Sequence, residues 1–315
     1  MTKNTLRAVA IGAAMLACGA MRGAADAPGA FGIGILRRDG IIVPFGAFDG
    51  KRWSNGWPAP NVDVTVPIRV SDVPSRWWGP TTVLERWQAW IAGEPQPLRV
   101  TQLDWVDAHC VRQVALRSDY RPPTAAPPRT EQPYPKDGLA VSPAQPVERI
   151  AALSPSSDES RVLTPALLDA FNAAERVLAD QHGHPVSRRA REGRVPDIEA
   201  IYAVGEHPRI YYVEASRRYR QLGQRADQCA ALAFGTGWFS RDGDHVQALE
   251  MGVDLLGCDR AGASYMLPLG ALRVAKRLFW VAQFSGWDHE RYAVVEVKPK
   301  TVEAVLSVWG GSCLK

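Results

Sequence analysis

Apolar and polar positions alternate over short stretches through most of this 315-residue chain, and glycine, proline or aspartate separates the stretches. Alternation of that kind is the pattern of half-buried β-strands joined by turns. Residues 33–36 and 41–45 flank Arg37-Arg38-Asp39-Gly40. Asp-Gly between two β-branched runs predicts a hairpin with a type I′ turn at that dipeptide. In residues 86–92, Trp87, Ala89 and Ile91 share a face; 93–97 reads as a turn, and 98–106 and 110–116 as strands. Further on, 198–204 and 210–215 read as a hairpin, and strands are predicted over 229–239, 246–256, 264–267, 278–284 and 292–297, with a short apolar run near Val305. Helical period appears clearly once, over residues 164–181. There Leu167, Leu168, Phe171, Ala174 and Leu178 share a face, Thr164 can cap, Pro165 suits the first helical position and Gly183 ends the run. Residues 154–160 read as a polar loop and 187–194 as a basic one. The predicted fold class is mainly β, with antiparallel sheets built of hairpins and one principal packed helix.

Proline punctuates this pattern. Residues 121–135, RPPTAAPPRTEQPYP, can form neither helix nor sheet interior, because proline lacks the N–H and fixes φ. The expected organisation is a signal peptide over 1–25, a Trp-rich β region over 26–120, a Pro-rich linker or surface strap over 121–147, and a C-terminal β-rich region with one helix over 148–315.

The first 25 residues have the pattern of a secretory leader. Lys3 and Arg7 make a basic start, residues 8–20 are small and apolar, and Gly23-Ala24-Ala25 offers small residues for cleavage after Ala25. The competing reading is a lipoprotein cut before Cys18, for which Met15-Leu16-Ala17 is a poor match. No other run reaches the roughly 18 apolar residues that a membrane span needs. A periplasmic or secreted protein without a transmembrane segment is expected. The leader also accounts for most of the apparent basicity. Without Lys3, Arg7 and Arg22 the 37 basic residues fall to 34, against 33 acidic ones. That balance removes the electrostatic case for a nucleic-acid partner.

One internal echo stands out. Residues 30–40, AFGIGILRRDG, align with 233–243, AFGTGWFSRDG, at seven identical positions, and Pro44-Phe45-Gly46-Ala47-Phe48 has a counterpart in Pro268-Leu269-Gly270-Ala271-Leu272. A duplicated hairpin unit would produce this, and so would common turn chemistry.

Candidate chemistry is sparse. Seven of the eleven tryptophans precede residue 106, and Trp53, Trp57, Trp77, Trp78, Trp87 and Trp90 are the candidate binding residues. Exposed indoles stack on ligands and anchor interfaces, whereas buried ones are core. The pair His182 and His184 is too few ligands for a metal site. Asp104, Asp107 and His109, and likewise Asp242, Asp244 and His245, combine carboxylates with imidazole, but in turn-like contexts where aspartate is common anyway. Arg188, Arg189, Arg191 and Arg194 offer charge for a polyanion. No nucleophile elbow, zinc-protease motif, phosphate loop or dinucleotide fingerprint occurs. No catalytic residue, metal or cofactor is expected.

Four cysteines follow the leader, Cys110, Cys229, Cys258 and Cys313. An even number in an exported chain predicts two disulfides. A hairpin turn at Asp242-Gly243 brings Cys229 close to Cys258, leaving Cys110 for Cys313. The expected function is non-enzymatic binding of an envelope protein or glycan; the alternative is a hydrolase with a non-obvious carboxylate or histidine site.

Overall fold

Neighbouring stretches of the chain pair antiparallel throughout the computed structural model, which describes residues 29–57, 69, 71, 84–108, 110–128, 134–220, 228–287 and 289–312. The first seven strands are β1 (Phe31–Arg37), β2 (Ile41–Phe48), β3 (Trp53–Ser54), β4 (Arg86–Ile91), β5 (Glu94–Ala108), β6 (Val111–Ser118) and β7 (Lys136–Ser142). They run in the order β1-β7-β4-β5-β6-β2-β3, and β1 also pairs with β2, so six strands close into a barrel with β3 outside it. Lys136–Ser142, just after the proline-rich stretch, thus completes the barrel by pairing with both β1 and β4. Two five-stranded sheets follow. One contains β9 (Ala151–Leu153), β10 (Asp197–Val204), β11 (Arg209–Tyr219), β12 (Ala231–Asp242) and β13 (His245–Leu256). The other contains β8 (Val147–Glu148), β14 (Tyr265–Val274), β15 (Arg277–Ser285), β16 (His289–Lys298) and β17 (Thr301–Ser312). The fold is mainly β, as the alternation predicts.

Side-chain parity stacks these pieces in layers. Alternate residues of a strand face opposite sides. On β15, Phe279 and Val281 join Phe31, Phe45 and Phe48 in one core against the barrel, while Leu278, Trp280 and Ala282 join Ile210, Tyr212 and Trp238 in another. On β11, Tyr212 faces that second core, while Tyr211, Val213 and Ala215 pack against a helix. The order of layers is therefore barrel, β14–β17 sheet, β9–β13 sheet, helix. A third core, including Trp87, Leu98 and Leu116, fills the barrel. Strands covered on both faces are near-continuously apolar, which explains the unbroken Leu278–Ala282 run.

The helix, α1, spans Asp158–His182 and starts six residues before the predicted position. Ser157, not Thr164, is the cap: its side chain accepts from Ser160 N, and Asp158 and Glu159 sit favourably in the first turn. Pro165 consequently lies inside the helix, and Thr164 Oγ1 donates to the Ser160 carbonyl. Gly183 ends the helix at φ 76°, as expected. The polar residues 154–160 thus include the first helical turn. The basic stretch 187–194 contains a short helix, α2 (Arg188–Arg191).

Turn chemistry differs from expectation in an instructive way. At the first hairpin Gly40 N bonds to Arg37 O and Gly40 alone has positive φ, 79°. That is a type I turn closed by a left-handed glycine, not type I′. The β4–β5 hairpin has positive φ at both Ala92 and Gly93, as type I′ requires, so β5 starts at Glu94 and runs through Pro95 and Pro97. These prolines are tolerated because β6 pairs with β5 only from Val100 onward.

The Cys229–Cys258 disulfide is present, with Cα atoms 6.1 Å apart. Its register arises differently from the prediction. The turn is Gly243-Asp244, so Asp242 pairs with His245, and Leu249 is an extra residue opposite Trp238/Phe239. The displaced turn alone brings Cys229 level with Cys258, and the bulge carries it one residue further. Cys110 is also disulfide-bonded; its predicted partner Cys313 lies outside the described residues, as do Cys18 and the leader.

The internal echo has a local structural counterpart. Phe45, in Pro44-Phe45-Gly46, is the extra residue in the β1–β2 ladder, and Leu269, in Pro268-Leu269-Gly270, is the extra residue in β14–β15. Proline is accommodated at bulges because a ladder N–H is dispensable there. The pairing itself is not repeated: β1 pairs with β2, which carries Pro44-Phe45-Gly46, whereas β12 pairs with β11 and β13 and lies in a different sheet from β14, which carries Pro268-Leu269-Gly270.

Candidate functional site

The sequence-selected tryptophans fall mostly inside the protein. Trp53 packs among Phe31, Phe48 and Phe279, with ring centroids 5.2–5.6 Å apart. Trp57 is buried, and its Nε1 donates to Val114 O at 2.6 Å. Trp87 lies in the barrel core and donates to Leu84 O at 2.9 Å. Trp90 is half-buried against the core between the barrel and the β14–β17 sheet. Trp77 and Trp78 lie outside the described residues.

Exposed indoles occur elsewhere, at one end of the β14–β17 sheet. Trp287 sits in the turn joining β15 to β16 and is 74% exposed; Trp309 on β17 is 52% exposed. The turn is closed by Gly286 N donating to His289 O at 3.0 Å. His289 stacks on Trp309, with centroids 5.6 Å apart and planes 10° from parallel. Across the same end, the Arg291 guanidinium lies 4.8 Å from the Phe284 ring. This end of the sheet therefore holds a flat aromatic–imidazole stack between β16 and β17 and a second indole in water, with a cation beside them. Such a surface can stack on the apolar face of a ring and donate hydrogen bonds from its edges. A Trp directly after a glycine, between two strand patterns, is a legible signal, since turns lie on the surface.

A second candidate is acidic and internal. Glu214 on β11 is 2% exposed, and its Oε1 accepts from Met266 N at 2.6 Å, tying the two sheets together. Glu199 lies close by, ion-paired with Arg260 at 2.8 Å and hydrogen-bonded by Ser216 Oγ. Burial pushes the Glu214 carboxyl up to about 7; the Met266 N–H pulls it back and the Glu199 charge pushes it further up. The folded protein thus holds this proton to higher pH than an ordinary glutamate titrating near 4.5. The associated stability is complete below about pH 4.5 and is lost as the pH rises through about 7, a difference of about 3 kcal/mol. Denaturant unfolding at a series of pH values should show this decline, and Glu214→Gln should flatten it. Equal slopes for both proteins would refute the assignment.

The remaining candidates are dispersed. Asp104 pairs with Arg117, while His109 lies outside the described residues. Asp242, Asp244 and His245 surround the β12–β13 turn. His182 is exposed at the end of α1, whereas the His184 side chain is 3% exposed, with Nε2 3.4 Å from Glu175 Oε1. No protein-family model, curated protein or solved structure matches the chain, and the functional reading accordingly rests on this geometry.

Proposed function

We propose that this is an exported, non-enzymatic binding protein whose Trp287–His289–Trp309 surface engages a cell-envelope partner, with a glycan as the ligand class. The supporting observation is the exposure of two indoles, one in the hydrogen-bonded β15–β16 turn and one on the neighbouring strand β17. Large side chains left in water on a rigid frame mark interaction sites more often than scattered apolar residues do. A glycan suits the arrangement because a sugar ring presents an apolar face to an aromatic plane and hydroxyls to the neighbouring His289 and Arg291. Export is supported by the leader pattern and by the disulfide, which persists in oxidising compartments. No described helix is long and apolar enough to cross a membrane.

The hydrolase reading has one observation behind it, the raised Glu214 carboxyl. It ranks lower because that group is buried and already engaged by a backbone N–H.

The test is co-sedimentation of the purified protein with insoluble cell-wall polysaccharide. Wild-type protein should pellet with it, and Trp287→Ala with Trp309→Ala should weaken binding at least tenfold while the melting temperature stays nearly constant. Binding unchanged in the double variant, or no binding to any envelope fraction, would sink the proposal.

A further inference from the structure

A groove that the aromatic surface does not involve opens beside α1. Its volume is about 730 Å³, and it runs between the second half of α1 and the segment around α2. Its floor is a buried network. Glu175 Oε2 accepts from Arg217 Nη1 at 2.8 Å, Glu175 Oε1 accepts from the Tyr219 hydroxyl, and Arg217 Nη2 donates to Asn172 Oδ1 at 2.8 Å. The Arg217 and Glu175 side chains are only 3% and 4% exposed.

Two features of this groove suit an anionic ligand. The first is unmatched charge. Five arginines and three carboxylates line it, an excess of two positive charges. Arg217 is matched by Glu175, and Arg188 lies 3.6 Å from Glu192. Arg176, Arg191 and Arg194 therefore remain to share one further carboxylate, that of Asp180. The second is unused donor capacity. Arg217 Nε, on a side chain more than nine-tenths buried, has no hydrogen-bond partner, and neither has Arg191 Nε. A buried guanidinium N–H without an acceptor is costly, and both arginines line the groove, so an oxyanion held there lies beside two guanidinium groups with donor capacity to spare.

We propose that this groove binds a phosphate-bearing ligand. A dianion balances the excess of two charges, which a single carboxylate does not. Its tetrahedral oxygens can also reach several guanidinium forks at once, the geometry in which arginine outperforms lysine. The shared chemistry is the phosphoryl group, whether free or carried on an envelope polymer.

The probe is inorganic phosphate at pH 7.5, titrated calorimetrically against acetate at matched ionic strength, followed by glycerol phosphate as a monoester. Phosphate should bind saturably with one site and acetate should not. Arg176→Gln with Arg194→Gln, both exposed positions, should weaken binding at least tenfold without changing the melting temperature in phosphate-free buffer. Retention by the monoester of at least the affinity of free phosphate would place the ligand on a carrier; binding of inorganic phosphate alone would mark a free-anion site. Equal heats with acetate, or unchanged affinity in the double variant, would overturn the proposal. Trp287→Ala with Trp309→Ala serves as the control: it should leave phosphate binding intact, so failure of the glycan reading and failure of this one are separable.

Discussion

Lys136→Met should cost about 3–5 kcal/mol of stability, because it strands a carboxylate at the joint between the barrel and the β14–β17 sheet. Lys136 opens β7 and its Nζ donates to Glu290 on β16, with the two side chains 4% and 2% exposed. The Tyr292 hydroxyl donates to the other Glu290 oxygen at 2.9 Å. Burial lowers the Lys136 pKa, the Glu290 charge opposes that shift, and the nearby Arg37 adds to it. Arg37 itself is held by Asp39 at 3.0 Å and lies 4.1 Å from the centre of the Tyr134 ring. Removing the lysine alone leaves the Glu290 carboxyl buried without its counter-ion. Removing both charges, as Lys136→Met with Glu290→Gln, should recover more than half of the loss. Urea unfolding of the two single variants and the double variant measures this directly. A Lys136→Met cost below about 1 kcal/mol would show that the pair does not hold the layers together.

Breaking the Cys229–Cys258 bridge should cost a similar amount. The bridge closes 29 residues, for which the loop-entropy model gives about 3–4 kcal/mol. It also anchors the turn after β13, where Arg260 N bonds to Gly257 O at 3.0 Å and the Arg260 side chain reaches Glu199 and Tyr265. Cys229→Ser with Cys258→Ser should therefore lower the unfolding midpoint and expose the Arg260 turn to proteolysis before the rest of the chain. Non-reducing peptide mapping should recover the 229–258 cross-link from wild type. A 110–229 or 110–258 link would refute the pairing.

The strands and the bridge were legible because alternation and turn residues are local. Where reading failed, tertiary context decided. The helix start was hidden by Pro165, which reads naturally as a first-turn residue, yet Ser157 caps α1 and Leu163 joins the core. The Glu175–Arg217 pair was visible in principle. Tyr211, Val213, Ala215, Arg217 and Tyr219 share one face of β11, while Leu163, Leu167, Phe171 and Glu175 follow one another at four-residue intervals on α1. Each row carries one charge among buried neighbours, and opposite charges at such positions call for each other. The early tryptophans misdirect because indole is both the best core filler and the best anchor. Exposure depends on what covers a residue: β14–β17 covers Trp53, and nothing comparable shields Trp287 in its turn.

The irregular ladders of the two long outer strands bear on how this molecule coexists with copies of itself. β17 borders one sheet, with Val305 and Gly310 as extra residues against β16, and β13 borders the other, with Leu249 extra against β12. A straight border strand presents evenly spaced amide and carbonyl groups to any passing chain. Each bulge bends that row and interrupts its spacing. Two β-rich borders of twelve residues each are thereby made poor templates for edge-to-edge polymerisation, a property of practical value to a strand-dominated protein at high local concentration.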